Sequence, residues 1–306
     1  MHKSVLLKEV ITYLKVKERG IYVDCTAGYA GHSSEILKRV KRGYLFAFDQ
    51  DEEAVKYSNQ KLQVIGKNFE VINSNFINLK AELNKRKVTK VDGILFDLGV
   101  SSVQLDKKER GFSYHQDARL DMRMDQNNDL SAYEVVNEYP LEKLINIFKI
   151  YGEEPAARNI AKKIVSAREK EPIVTTLELV DIIKGSVSAK RRRLEHPARQ
   201  VFQAIRIEVN KELEVLEAAL EQAITLLNPG GRLCVITFHS LEDRICKQLF
   251  KKYSSVNQSL KKLPFIPVSE EPIIKLINKQ VIVPSALEIK ANKRARSAKM
   301  RVVEKL

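Results

Sequence analysis

Tryptophan is absent from this chain, so any ring that stacks on a nucleobase must come from Phe, Tyr, His or Arg. Cysteine occurs three times, at Cys25, Cys234 and Cys246. The odd count and the spacing match neither a disulfide framework nor a zinc pattern, which points to free thiols in a reducing cytoplasm. No His/Cys/Asp cluster has ligand spacing, so no metal is indicated. No apolar run approaches the roughly 20 residues needed to span a bilayer. The first residues lack the apolar core and small-residue cleavage site of a signal peptide. Acids are outnumbered, with Asp+Glu 39 against Lys+Arg 53 and a net charge of +14. Such a field attracts nucleic acid or acidic membrane surfaces, and a solvated lysine-rich surface gives the same count.

What is present is a globular composition, 44% apolar over 306 residues, long enough for about two domains. Residues 5–11 suit an amphipathic helix. Residues 21–23 form a short apolar strand that stops at Asp24, followed by D-C-T-A-G-Y-A-G-H-S (24–33). Gly28 and Gly31 let a backbone turn come close to a ligand, and a helix starts near Ser33. The turn reads G-Y-A-G, not G-x-G-x-x-G. A second strand, 44–48, ends at Asp49, about 20 residues beyond Gly28, where an acid can hydrogen-bond a ribose diol. Capping the following helix is the other job open to an acid here, and Asp51 is as well placed for it. A third strand spans 69–72. The fourth lies in V-D-G-I-L-F-D-L-G-V-S-S-V-Q (91–104), an apolar run that ends on Asp97 and opens into a small-residue loop. Alternating strand and helix implies a parallel sheet, with ligands at the carboxyl ends of its strands.

The rhythm breaks after that loop. Residues 105–210 show no clear strand and several helical stretches, including 141–151, 156–169 and 176–184. Within them lie a basic run, 190–193, and Arg199 and Arg206, read as a phosphate-contacting surface. The α/β pattern resumes at Leu213 with an amphipathic helix. N-P-G-G (228–231) turns it into a strand, 232–238, ending at His239 and Ser240. A helix over 241–253 and a last strand over 300–303 follow. The basic cluster before that last strand is an RNA-facing candidate. The expected domains are 1–104, a helical insertion over 105–210 for RNA recognition, and 211–306.

The L-N-P-G-G turn is similar to one common in S-adenosylmethionine methyltransferases, and the incomplete glycine fingerprint disfavours a nicotinamide dehydrogenase. This cofactor needs a glycine turn, an acid for the ribose, an apolar wall and an open rim. Gly28 with Gly31, Asp49, Phe76 and the Asp97 strand end supply them. The fold class expected is therefore α/β, a Rossmann-like methyltransferase sheet with an inserted helical domain.

Longer segments carry a more specific likeness. They are D-C-T-A-G-Y-A-G-H-S, F-D-L-G-V-S-S-V-Q-L-D, R-G-F-S-Y, L-D-M-R-M, H-P-A-R-Q-V-F-Q-A-I-R-I-E-V-N and T-F-H-S-L-E-D-R. Over essentially its full length the chain resembles the RsmH (MraW) family, bacterial methyltransferases acting on N4 of a cytidine in 16S ribosomal RNA of the small subunit. The resemblance implies cofactor contacts at Ala30, Gly31, His32, Asp49, Phe76, Asp97 and Gln104. Ala30 stands where the family often has Gly. It also implies a cytoplasmic enzyme that partners the small ribosomal subunit and no membrane, and leaves monomer or homodimer open.

An exocyclic amine is a weak nucleophile, so the enzyme must align it and accept its hydrogen bonds as it becomes cationic. Asp97 is the candidate for that work, with Ser101 or Ser102 beside it. A purely cofactor-binding Asp97 is the competing reading. Phe112 or Tyr114 is the candidate for base stacking, Arg110 for a phosphate and His239 for fixing the base or the loop. Phe112 in a core and a structural His239 are the plainer readings. Methylation at C5 would need a cysteine nucleophile, and no cysteine here is so placed. A different acceptor on the same fold, or a non-catalytic RNA-binding factor, are the rival functions.

Overall fold

The computed structural model describes residues 4–101, 104–105, 107–194, 196–256 and 271–306. In chain order its main elements begin with α1 (Leu7–Leu14), β1 (Ile21–Asp24), α2 (Gly31–Leu37), β2 (Tyr44–Asp49), α3 (Glu52–Gln63), β3 (Phe69–Asn73), α4 (Leu79–Lys85) and β4 (Val91–Asp97). Helices follow: α5 (Ala132–Glu138), α6 (Leu141–Ile150), α7 (Ala157–Arg168), α8 (Thr176–Gly185), α9 (Ala189–Leu194) and α10 (Ala198–Asn210). The chain closes with α11 (Glu212–Leu226), β5 (Leu227–Thr237), α12 (Ser240–Ser254), β6 (Ile274–Leu276), α13 (Ala286–Ala291) and β7 (Lys299–Lys305). Two compact units result, one of Met1–Gly99 with Leu213–Leu306, the other Val100–Glu212.

The first unit is a seven-stranded sheet in the order β3-β2-β1-β4-β5-β7-β6. Strands β1 to β5 pair in parallel and β7 runs antiparallel between β5 and β6. Both faces are covered, and alternation along each strand sorts side chains between them. Val23, Phe46, Phe48, Ile94, Phe96, Leu233 and Val235 join a cluster with residues of α4, α11 and α12. Their neighbours Tyr22, Leu45, Ala47, Leu95, Cys234 and Ile236 join another with residues of α1, α2 and α3. The strand order reverses between β1 and β4, so their carboxyl ends flank the crevice where such sheets take ligands.

Two sequence expectations are corrected here. N-P-G-G does not simply precede the fifth strand. Leu227 already pairs with Val91, and the register shifts before Gly93 pairs with Arg232, so the turn lies inside β5 as an irregularity. The three-residue β6 was not anticipated, being too short to show a period.

The second unit packs helices α5, α6, α7, α8 and α10 around one apolar cluster that includes Val135, Phe148, Ile160, Leu179 and Phe202. Capping boxes start two of them, Ser131 with Glu134 on α5 and Thr175 with Glu178 on α8. Among the described residues, no helix is long and apolar enough to cross a membrane.

Candidate active site

The geometry begins with three acids, each ending a strand. Asp24 closes β1, Asp49 closes β2 and Asp97 closes β4. Parallel register sets them on one edge, with Asp24 opposite Ala47 and Leu95. The chain stays paired beyond β1, as Cys25 N donates to Leu95 O at 2.9 Å and Ala27 N to Phe48 O at 2.8 Å. The glycine turn is thereby stretched across the tips of β2 and β4.

Within the turn, Gly28 and Ala30 both adopt left-handed backbone, with φ 49 and φ 50. Gly suits that region, whereas Ala carries roughly 1 kcal/mol of strain there. Gly31 is required by close approach of another kind. A Cβ on it would lie 1.8 Å from Ser4 Oγ, so the N-terminal segment packs against the turn. From outside, α3 secures the turn: Ser58 Oγ donates to Gly28 O at 2.8 Å and Lys61 Nζ to Tyr29 O at 2.7 Å.

Asp49 receives the turn. One oxygen accepts from Gly28 N at 2.8 Å and the other from Asp51 N at 3.0 Å. Each oxygen keeps a lone pair for a ligand hydroxyl. Burial pushes its carboxyl up to about 6, against the pull of those two backbone donors. Capping falls to Asp51, which accepts from Glu53 N at the start of α3. Phe76 stands after β3, half-buried, its ring edge-on to Phe96 at 5.4 Å between centroids.

Asp97 is bonded differently. Its backbone N–H donates to Thr26 Oγ1 at 2.8 Å. Its Oδ2 lies 3.6 Å from His32 Nδ1. Its Oδ1 is buried and has no hydrogen-bond partner among the described residues. An acceptor of this kind at a ligand crevice is available to a donor beyond the described residues. Burial pushes the Asp97 carboxyl up to about 6, with His32 pulling down and the charges of Asp24 and Glu242 pushing further up.

The structure therefore gathers Ala30, Gly31, His32, Asp49, Phe76 and Asp97 in the sheet unit. Gln104 and Ser101 belong to the helical unit, where Gln104 Oε1 accepts from Ser101 N at 3.0 Å and Ser101 Oγ from Gln104 N at 3.3 Å. Ser102 lies outside the described residues. Asp24, Thr26 and Ser33 escaped the sequence reading as a set. Ser33 Oγ donates to Asp24 Oδ2 at 2.6 Å, and Thr26 N to Asp24 Oδ1 at 3.1 Å. The two-residue spacing of D-C-T was the available signal, since Asp commonly caps its own backbone two residues on.

Four expectations are corrected. Phe112 is in the apolar core of the helical unit, 7% exposed, so its ring faces are covered and cannot take a base. Arg110 is 2% exposed and its Nη2 donates to the carbonyls of Arg123 and Met124, which holds a loop and leaves no surface cation. His239 caps α12, its Nδ1 accepting from Glu242 N at 3.4 Å while Glu242 accepts from the His239 N–H at 3.2 Å. The basic surface is also smaller than expected. Arg191 pairs with the fully buried Glu154 and with Gln200, and Arg206 pairs with Glu212. Exposed positions remain at Lys190, Arg192, Arg193 and Arg199. Tyr114 is half-buried and stacks on His196 at 4.5 Å. The thiols of Cys25, Cys234 and Cys246 are buried and their pKa values pushed up by burial, which suits none of them to nucleophilic attack.

The model of the MraW methylase family matches residues 1–306. The chain belongs to the MraW methylase family. It is thus a methyltransferase, and the methyl donor is S-adenosyl-L-methionine. Ribosomal RNA small subunit methyltransferase H of Exiguobacterium sibiricum is 56% identical over 306 residues, covering 100% of this chain and 98% of that one. Among solved structures, an rRNA methylase from Streptococcus thermophilus aligns with TM-score 0.46 and 13% identity, covering 100% of this chain and 99% of that one. An S-adenosylmethionine-dependent O-methyltransferase from Thermotoga maritima aligns with TM-score 0.42 and 10% identity, covering 100% of this chain and 68% of that one.

The strand ends fit the donor of this family. It has no phosphate to cradle, and the turn over Gly28 offers backbone and an acid, not a cation cluster. Asp49 retains acceptor capacity for a ribose diol, and Phe76 offers an apolar wall.

Proposed function

We propose that this methylase modifies N4 of a cytidine in 16S ribosomal RNA, in the cytoplasm, on the small ribosomal subunit. The observation that carries the reading is Asp97 Oδ1, a buried acceptor with no partner among the described residues, at the β1/β4 crevice. The name of the relative from Exiguobacterium sibiricum supports the acceptor class.

Asp49 holds the ribose of the cofactor, the backbone of Ala30, Gly31 and His32 lies along it, and Phe76 covers the adenine. When bound, the cofactor supplies an electrophilic methyl on a sulfonium. Everything else is alignment and charge. Asp97 accepts a hydrogen bond from the cytidine amine, which orients its lone pair and stabilises the positive charge that grows on nitrogen. A buried carboxylate does this better than one in water, because its field is unscreened and already oriented. The direct displacement needs no covalent enzyme intermediate, consistent with three buried thiols.

The helical unit recognises the RNA. Its exposed cations are Lys190, Arg192, Arg193 and Arg199, and the half-exposed Tyr114 is the ring offered to a base.

The test is transfer of labelled methyl from S-adenosyl-L-methionine to isolated small subunits, followed by nucleoside mapping. The expected product is N4-methylcytidine at one site. Label on another nucleoside, on protein, or nowhere sinks the reading. Naked 16S RNA and assembled subunits run in parallel identify the form that is accepted.

A further inference from the structure

We propose that His32 is a positioning residue for methyl transfer: its ring holds one oxygen of Asp97 and leaves the other for the acceptor amine. The inference deepens the reading above and rests on it, because Asp97 is there the group that the amine meets.

His32 is 4% exposed, in the first turn of α2. Its Nε2 lies 2.9 Å from the carbonyl oxygen of Val5. A carbonyl only accepts, so Nε2 is the donor and carries a hydrogen. That contact fixes the ring and places Nδ1 3.6 Å from Asp97 Oδ2. A bare Nδ1 and a carboxylate oxygen are both acceptors and repel each other. A hydrogen on Nδ1 turns that contact into an attraction, with the ring facing the carboxylate oxygen.

The adjacent residue performs a parallel task. Ser33 donates to Asp24, and Asp24 in turn accepts from Thr26, whose hydroxyl receives the Asp97 N–H. Two consecutive side chains of one helical turn thus brace two strand-end acids. Asp24 is satisfied on both oxygens. Asp97 is held on Oδ2 and from its backbone, and only Oδ1 is left over.

The charged groups facing Asp97 come from three elements: His32 from α2, Asp24 from β1 and Glu242 from α12. Both acids oppose ionisation of Asp97, as does burial. His32 alone among these groups favours it. The reaction needs the ionised form. The nitrogen–carbon bond forms as the carbon–sulfur bond breaks, the electron pair stays on sulfur, and the extra proton on N4 passes to Asp97 Oδ1. A carboxyl already protonated accepts only a weaker hydrogen bond and cannot take the proton.

The experiment uses His32→Gln in the full chain. Glutamine reaches far enough to keep donating to the Val5 carbonyl but offers Asp97 no charge. Two readouts are taken: kcat against pH for methyl transfer to small subunits, and the carboxyl ¹³C shift of Asp97 against pH in the free protein, assigned with Asp97→Asn. In the wild type the carboxyl midpoint is expected near 6. In His32→Gln both the midpoint and the acidic limb of kcat move up by about one pH unit or more. Turnover at pH 7 falls about twofold for a move of one unit and about tenfold for a move of two, recovers toward pH 9, and KM for the cofactor holds within about twofold. His32→Asn, also neutral, gives the same comparison should His32→Gln melt below the assay temperature. A midpoint and limb that stay in place overturn the inference, as does a pH-independent loss confined to cofactor KM. A wild type that leaves no N4-methylcytidine overturns the functional reading and this inference with it. A wild type that methylates normally while the variant's midpoint stays put overturns the inference alone.

Discussion

Asp49 closes β2 and Asp97 closes β4, and burial pushes both carboxyls up to about 6. Their bonding separates them. Asp49 accepts a backbone N–H on each oxygen and is part of how the glycine turn folds. Asp97 meets His32 on one oxygen and nothing described on the other. Two acids of one type, on one sheet edge, thus carry different kinds of cost. The cost at Asp49 is offset by backbone donors of the glycine turn and α3, whereas the cost at Asp97 Oδ1 is offset by no group among the described residues. Strained or undersatisfied groups of this sort are expected where a protein does its work.

The largest effect that sharpens this contrast is on turnover. Asp97→Ala removes the acceptor of the amine, and kcat for methyl transfer should fall by about 10²–10³, a loss of roughly 3–4 kcal/mol in transition-state stabilisation. Steady-state rates at saturating cofactor measure it. Second in size, Asp49→Ala should weaken cofactor binding by about 10–100-fold, because one charge-assisted acceptor is lost and two backbone donors are stranded. Calorimetric titration reads that, and equal losses of affinity in both variants would erase the distinction.

The third effect is on stability and has the opposite sign. An acid whose folded pKa is raised contributes stability that is fully present below its unfolded value of about 3.8 and is lost as pH rises through about 6. At neutral pH the ionised Asp97 is therefore a burden on the free protein. Asp97→Asn should raise stability by about 1–3 kcal/mol above pH 7, and the gain should shrink as pH falls below 6. Asp49→Asn should gain less, since an amide accepts through one atom only and Asp49 serves two N–H groups on two oxygens. Melting curves from pH 5 to 8 compare the two. Smallest is the effect of the helical unit's surface. Arg192→Glu with Arg193→Glu should weaken RNA binding by about tenfold and flatten its salt dependence by about 1–2 ions. Arg191→Ala should instead cost about 3–5 kcal/mol of stability, because it strands the buried carboxylate of Glu154.

The strand ends were legible because an apolar run that halts at an acid is a local pattern, and Asp24, Asp49 and Asp97 each show it. Helix starts were legible for the same reason, as with Asp51 before α3. Pairings made across the fold were not. Arg191 sits in a basic run and reads as surface, yet its partner Glu154 is 37 residues away. Phe112 and Arg110 lie in a glycine-containing loop that resembles a binding loop. Only the packing of helices brought in from residues 130–210 shows that their side chains are interior. The His32 contact was equally hidden, since it depends on Val5 reaching the first turn of α2. A glycine at position 31, with Ser4 at the distance a Cβ would fill, was its trace in the sequence.

The most direct test sets Asp97→Asn beside Asp49→Asn at pH 8 and measures, for each, the cofactor dissociation constant and the single-turnover rate of methyl transfer to small subunits. The expected result is a crossed pattern. Asp97→Asn binds cofactor within a few-fold of wild type and transfers methyl about 10²-fold more slowly, while Asp49→Asn binds weakly and transfers at a near-normal rate once saturated. An Asp97→Asn protein that loses cofactor affinity yet transfers at the wild-type rate when saturated would contradict the account, and would make Asp97 a second cofactor ligand.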